Sequence, residues 1–234
     1  MWNLDRRVAA VAALGATLAL GITIAVADGP APIRPGETPV AQAQELAALA
    51  NRGARATWMV TFAFTRTAAT GGQLHATFVS AHVMAADGRS IEVDEGLGSL
   101  VVSTATRSYS CTVVSGKRQC LVRPRAGGAT RPGDVYGGAV IAGRYAISRA
   151  PAVFIAGIEA RCFVLRLRTG NPIAGLGFSS EQCYSTDGVP LRSRVQSSGA
   201  LDERAALTVR RVVGRDQLVA VLKPYGLARL ARVQ

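Results

Sequence analysis

Cys162 to Val195, CFVLRLRTGNPIAGLGFSSEQCYSTDGVPLRSRV, restricts the folds open to this chain more than any other stretch. Asp187-Gly188 is a strong hairpin signal, because a two-residue type I′ turn needs positive φ at both positions and Gly adopts it freely. A turn centred there pairs Thr186 with Val189, Tyr184 with Leu191, Cys183 with Arg192 and Glu181 with Arg194. Placing Cys162 across from Cys183 adds the upstream strand to the same sheet. Alternation then puts Phe163, Leu165, Leu167, Tyr184, Val189, Leu191 and Val195 on one face. Val164, Arg166, Arg168, Glu181, Arg192 and Arg194 fall on the other. Two separately chosen pairings agree on which side is apolar, and a slip of one residue in either would destroy the agreement.

Four cysteines allow three connectivities, and spacing selects among them. In CTVVSGKRQC a turn at Ser115-Gly116 sets Cys111 opposite Cys120 at a non-hydrogen-bonded site, where Cα atoms approach to about 4.5 Å, within disulfide range. The expected bonds are Cys111–Cys120 and Cys162–Cys183. Disulfides call for an oxidising compartment. Val8 to Ala27 provides the route: an uncharged run after Arg6-Arg7, about 30 Å long as a helix. Two fates are open, a retained signal anchor with the arginines inside, or cleavage after Ala25-Val26-Ala27. DGPAPIRPGETP (28–39) then reads as a semi-extended, Pro-rich tether, and residues 40–234 as one folded domain. No Cys precedes Cys111, so the leader's end offers no lipidation site.

The 234-residue chain carries a formal net charge of +12, and taking away the leader's net +1 leaves +11 on the rest. Such a surface favours anionic lipid headgroups or acidic wall polymers, and export removes nucleic acid from reach. Within the domain, Val40–Ala54 is spaced as an amphipathic helix and Thr57–Arg66 alternates as a half-buried strand, with Trp58, Val60, Phe62 and Phe64 on one side. Strands follow at Gln73–Met84, Ser90–Asp94, Leu100–Ser103, Tyr109–Val114 and Arg118–Val122, with Asp87-Gly88 as a further turn signal. Asp134 is placed to cap a helix through about Ser148. Strands resume at Val153–Ile155, Arg161–Arg168, Ser180–Ser185, Val189–Gln196 and Ala205–Val213, and Gln217–Leu222 and Gly226–Val233 read as short closing helices.

Catalytic signals are scarce. His75 and His82, seven apart in one strand, face opposite ways and cannot share a metal. Glu92, Asp94 and Glu95 beside Gly96 read as a solvated turn. No nucleophile elbow, phosphate-cradling loop or CxxC occurs, so no catalysis, metal or cofactor is expected. Gly175-Leu176-Gly177-Phe178 matches the carboxylate-binding loop of PDZ domains, but only over four residues, and reads as a flexible loop between strands.

An exported chain with an amphipathic first helix, a long meander opening on the alternating aromatic strand Thr57–Arg66, an inserted helix, and hairpins ending in DGVPLR resembles the LolA-like half-barrel superfamily. Its actinobacterial lipoproteins of the LppX and LprG kind are the most similar members, although this chain lacks their lipidated cysteine. The resemblance implies an α+β fold, a curved antiparallel half-barrel sheet wrapped round a few helices, and non-catalytic binding or transport of a lipid between sheet and helices. The apolar faces then give the expected cavity lining: Trp58, Val60, Phe62, Phe64, Phe78, Phe163, Leu165, Leu167, Tyr184 and Leu191, with Val140 and Ile141 as a lid. Arg166, Arg168, Arg192 and Arg194 form the expected basic outer patch. The alternative is a membrane-tethered sensor or interaction domain with a filled core, contacting a protein or wall polymer; an apolar pocket larger than about 300 Å³ separates the two.

Overall fold

The computed structural model describes residues 38–84, 90–115, 117–125 and 131–233. The Val8–Ala27 segment, most of the tether and the Asp87-Gly88 turn lie outside them. Among the described residues no helix is long and apolar enough to cross a membrane. The described residues form twelve strands and three α-helices, eleven of the strands in one continuous ladder. The α+β, all-antiparallel curved sheet expected from the sequence is what the chain adopts.

Helix α1 (Pro39–Gly53) starts where Thr38 Oγ1 accepts the Ala41 amide at 3.2 Å, with Pro39 at the first position, where its missing N–H costs nothing. Six strands then run as a meander: β1 (Trp58–Ala68), β2 (Gln73–Met84), β3 (Ser90–Gly96), β4 (Ser99–Thr104), β5 (Arg107–Val114) and β6 (Lys117–Pro124). Next come α2 (Pro132–Ile141), β7 (Tyr145–Arg149), β8 (Val153–Ile155), β9 (Ile158–Leu167), β10 (Ser179–Tyr184), β11 (Pro190–Gln196) and β12 (Ala200–Arg210). The chain closes with α3 (Arg215–Leu222) and two 3-10 turns at Lys223–Tyr225 and Ala228–Val233. The sheet order is β6-β5-β4-β3-β2-β1-β12-β11-β10-β9-β7, and β8 pairs separately with β9. The long-range step is β12, which returns to β1 and joins the two meanders into one sheet.

The second helix is shorter than expected. Gly143 takes φ +69, its amide donates to Val140 and that of Arg144 to Ala139, a Schellman termination that stops α2 and frees Tyr145–Arg149 to become β7. Its start is also shifted, with Arg131 rather than Asp134 at the N-cap and Pro132 following. The hairpin at Asp187-Gly188 also differs from the two-residue turn expected. Gly188 N–H donates to Ser185 and Ser185 N–H to Val189, enclosing the three residues Thr186–Gly188 with Gly188 at φ +88. The pairs Thr186–Val189 and Tyr184–Leu191 therefore do not form. A bulge absorbs the extra residue, so Tyr184 faces Pro190 while Cys183 stays opposite Arg192 and Glu181 opposite Arg194.

Both disulfides form as expected, Cys111–Cys120 and Cys162–Cys183, each joining directly opposed residues. Leu165 lies opposite Ser180, which alternation puts on the side of Tyr184, and both side chains join one core. That core holds Leu46, Leu49, Val140, Tyr145, Ile147, Phe163, Leu165 and Tyr184, so α1 and α2 cover one face of β7, β9 and β10. Register carried across the sheet puts the C-terminal helix on the opposite face of β2–β5. There Leu218, Leu222, Tyr225 and Leu227 bury Ala81, Ile91, Val93, Leu100 and Val102. Between these two cores, Val60, Phe62, Phe64, Phe78 and Leu191 pack with the Cys162–Cys183 bridge and with Ile155 and Ala160.

Candidate functional site: a cleft beside the first helix

Because helices cover opposite faces in the two halves of the sheet, the face of β2–β4 next to α1 is left open. A cleft of about 350 Å³ lies there. Ala50 and Gly53 of α1 and the C-cap residue Ala54 form one wall, and Ser80, His82, Glu92, Asp94, Val101 and Ser103 form the sheet floor. Trp58, Tyr136, Tyr184 and Pro190 complete it.

The aromatic walls are fixed. Trp58 Nε1–H donates to the Gly53 carbonyl at 2.8 Å, tying β1 to the end of α1. The Trp58 and His82 rings lie 6.2 Å apart between centroids. His82 Nδ1 sits 2.7 Å from the Ala56 carbonyl, which can only accept, so this nitrogen carries the proton. The Tyr136 and Tyr184 hydroxyls meet at 3.2 Å. Burial holds the Tyr184 phenol well above its ordinary value, and the Tyr136 neighbour and their hydrogen bond add to the effect. Burial raises Tyr136 as well, against the bond to Tyr184. Both phenols stay protonated far above neutral pH, and since one O–H is spent on the other hydroxyl the neutral pair has one O–H left to donate.

The floor is more polar than the sequence reading allowed. Glu92 and Asp94 lie in β3, the strand expected from Ser90 to Asp94, which continues through Glu95 and Gly96 in place of a solvated turn. Asp94 accepts from Ser80 Oγ at 2.8 Å and from Arg204 Nη1 at 3.2 Å, and Glu92 pairs with Arg125 at 3.5 Å. The Arg204 guanidinium also sits 4.4 Å above the Phe78 ring. The floor's charges thus already have partners, and the free surface of the cleft comes mainly from the aromatic and small residues around it. Of the alternating aromatic residues proposed as lining, Trp58 and Tyr184 border the cleft. Val60, Phe62, Phe64, Phe78, Phe163, Leu165 and Leu191 are buried in the cores against one another. Leu167 packs at the edge of the α1/α2 core, Val140 is buried within it, and Ile141 is 69% exposed, outside any lid.

Elsewhere, Arg166 and Arg168 are exposed, while Arg192 and Arg194 form a ladder of ion pairs with Glu181 and Glu203. The Gly175–Phe178 loop is pinned rather than flexible. Leu176 is buried in the α1/α2 core, and the amides of Leu176, Gly177 and Phe178 all donate within the protein. His75 is exposed and bonded to Thr65, apart from His82. The one grouping with metal-ligand spacing among the described residues is Cys162, Glu181 and Cys183, whose sulfurs are joined as a disulfide.

No family model matches the chain, and no curated protein matches it in sequence. Solved structures do resemble it. MucB is 19% identical with a TM-score of 0.50, the match covering 76% of this chain and 62% of MucB. MucB in the Pseudomonas aeruginosa MucA/MucB complex is 19% identical at TM-score 0.49, over 74% of this chain and 60% of that one. LprF from Mycobacterium bovis is 9% identical at TM-score 0.34, over 76% and 97%. The likeness to MucB is one of fold, a curved sheet with helices against it, and the chain spans less than two thirds of MucB's length.

Proposed function

We propose that the protein is a non-catalytic extracytoplasmic binding protein that takes a small lipophilic ligand into the cleft between α1 and the open face of β2–β4. The observation that carries this reading is the cleft itself. About 350 Å³ of space bordered by Trp58, Tyr136 and Tyr184, with neutral phenols and already-paired charges, suits an apolar body with a small polar end. Each buried methylene contributes about 0.8 kcal/mol, enough for a short acyl chain to offset binding costs with few polar contacts. Two disulfides in a half-barrel-like fold support an exported protein, held at the plasma membrane through residues 8–27 or released after Ala27.

The test uses the full chain in mild detergent. Trp58 is the one tryptophan beyond Trp2, so its emission reports on the cleft. Native mass spectrometry is expected to show co-purified lipid, and a fluorescent fatty acid to shift Trp58 emission. Ala54→Phe, which fills the cleft, is expected to abolish both. Absence of lipid and of uptake in the wild-type protein refutes the reading. A second reading, a tethered interaction domain, is favoured by the likeness to MucB, solved in complex with MucA, and by the packing of most expected lining residues into cores. It predicts no lipid and a partner protein on an outer surface.

A further inference from the structure

Strand β6 ends the sheet, and every residue from Lys117 to Pro124 is exposed. The closing pair Val114–Lys117 of its hairpin sets the hydrogen-bond phase: Lys117, Gln119, Leu121 and Arg123 bond back to β5, whereas Arg118, Cys120 and Val122 turn N–H and C=O outward. Among the described residues no backbone group receives these amides. Proteins usually blunt such an edge by shortening, twisting or covering it or by placing charge or Pro on it, and β6 relies on the last two, with Lys117, Arg118, Arg123 and Pro124, which repel a like strand and leave an acidic one free to pair. This one is eight residues long and tied to β5 by the Cys111–Cys120 bridge. It presents Leu121 at 52% and Val122 at 48% exposure, one on each face.

Charge selects the occupant. From Gly96 to Gly133 the sequence has no carboxylate and six cations, Arg107, Lys117, Arg118, Arg123, Arg125 and Arg131, of which Arg125 is paired with Glu92. A second copy of the same strand would bring like charges together. An anionic lipid surface would satisfy the cations but leave the outward amides dry and unpaired. We propose that β6 is a strand-addition site for an extended acidic segment of a partner protein, alternating carboxylates with aliphatic residues. The segment extends the ladder through Arg118, Cys120 and Val122 and sets its aliphatic residues beside Leu121 and Val122. Pro124, with no N–H to give, marks where the ladder stops.

The site is separate from the cleft and stands or falls independently of the ligand reading. The probe is a blocked ten-residue peptide alternating Glu with Val, titrated by fluorescence anisotropy against the oxidised full chain in mild detergent. The Glu–Val peptide is expected to bind and a Lys–Val peptide not to. N-methylation along one edge of the peptide keeps its charge but removes ladder donors, and is expected to weaken binding at least about fivefold. Val122→Pro removes an outward amide without touching the β5 bonds, and is expected to do the same while the protein melts as wild type. Arg118→Glu/Arg123→Glu is expected to abolish binding, and Ala54→Phe to leave it unchanged. Equal binding of the N-methylated peptide, or unchanged binding by the charge-reversed protein, overturns strand addition. So does failure of the Glu–Val peptide to bind, whether or not the protein binds phosphatidylglycerol vesicles.

Discussion

Gly53→Ala is a substitution for which local propensity and tertiary structure give opposite signs. Gly53 closes α1, and Ala inside a helix is favoured over Gly by about 1 kcal/mol, so propensity alone expects stabilisation. In the fold, a Cβ on Gly53 would lie 2.0 Å from the Gly188 carbonyl oxygen and 2.9 Å from its carbon. That contact is with backbone, which cannot rotate away, and the Gly188 amide is itself bonded to Ser185. Helix and hairpin must separate by about an ångström, and overpacking of this kind costs typically 1–3 kcal/mol. Set against the gain from propensity, the expected net effect is a loss of up to about 2 kcal/mol. Gly188→Ala meets Leu49 O at 2.3 Å and Gly53 N at 2.4 Å and adds a φ of +88, for an expected loss of about 2–4 kcal/mol. Gly71 supplies the control, since it has φ +89 and nothing within 4 Å of its would-be Cβ, so Gly71→Ala should lose only the conformational term, about 1 kcal/mol. Urea denaturation followed by far-UV circular dichroism gives all three values. Gly53→Ala above wild-type stability, or Gly188→Ala equal to Gly71→Ala, refutes the close crossing of α1 over the hairpin. With it would go the account of the cleft, because Trp58 is held there by the Gly53 carbonyl.

Three further outcomes follow from the same structure. Cys162→Ala/Cys183→Ala, which opens a loop with a sequence separation of 21, is expected to lower stability by about 3 kcal/mol by loop entropy alone, and more for two fully buried side chains. Cys111→Ala/Cys120→Ala, with a separation of 9 and an exposed Cys120, should lose less, and urea midpoints order the two. The hydrogen bond from Arg211 Nε, at 2.5 Å, holds the Asp187 carboxyl at about 2, helped by Ser185 and opposed by partial burial. This depressed value gives stability that is complete above about pH 4 and lost as pH falls through 2. Asp187→Asn should therefore flatten the thermal-melting profile between pH 4 and 2 and leave it unchanged in slope at neutral pH. Arg204→Met leaves Asp94 with Ser80 alone and removes the cation from Phe78, for an expected loss of about 1 kcal/mol. Asp94→Asn in the same chain should recover part of it, and additive losses in that double-mutant cycle would exclude coupling.

Strand pairing was the legible part of this sequence. Alternation in Trp58–Phe64 and in Cys162–Val195, together with cysteines at directly opposed sites, fixes register, because a one-residue slip exchanges every inward and outward side chain. The cleft was far less legible. Glu92, Asp94 and Glu95 read as a solvated turn because Gly96 follows them, yet Gly96 is a strand residue that makes room for the Phe78 ring, whose nearest atom would lie 2.3 Å from a Cβ there. The apolar run after Asp134 read as one long helix because its composition is uniform. The Gly143 termination turns it into a helix and a strand, and moves Ile141 from an expected lid to an exposed helix end. Tyr136 reaches the cleft only because α2 docks on α1, where Asn51 accepts the Gly133 amide at 3.1 Å and a Cβ on Gly133 would lie 2.3 Å from Ala47 O. Nothing in the spacing of Tyr136 announces that contact.

The expectation of one large greasy cavity assumed that a sheet with an apolar face must either enclose a ligand or be filled throughout. The chain has filled cores in some places and an open cleft in another. Joining the two meanders at β1–β12 creates one sheet too long for three short helices to cover on a single side. α1 and α2 cover one face of one half, and the C-terminal helix covers the opposite face of the other. The residues that looked like cavity lining go elsewhere, Val140, Phe163 and Leu165 under α1 and α2, and Val60, Phe62, Phe64, Phe78 and Leu191 into the core between the two halves. What remains open is the boundary where coverage changes sides, and its composition follows from that position. Trp58 and Tyr184 lie where the covered half ends, Ser80, Asp94 and Ser103 on strands that face solvent beyond it, and Arg204 at the junction, closing the Phe64–Phe78 core from above. The mixed character of the cleft is therefore a consequence of topology, and a ligand for it should have an apolar part lying toward α1 and a polar part toward β3.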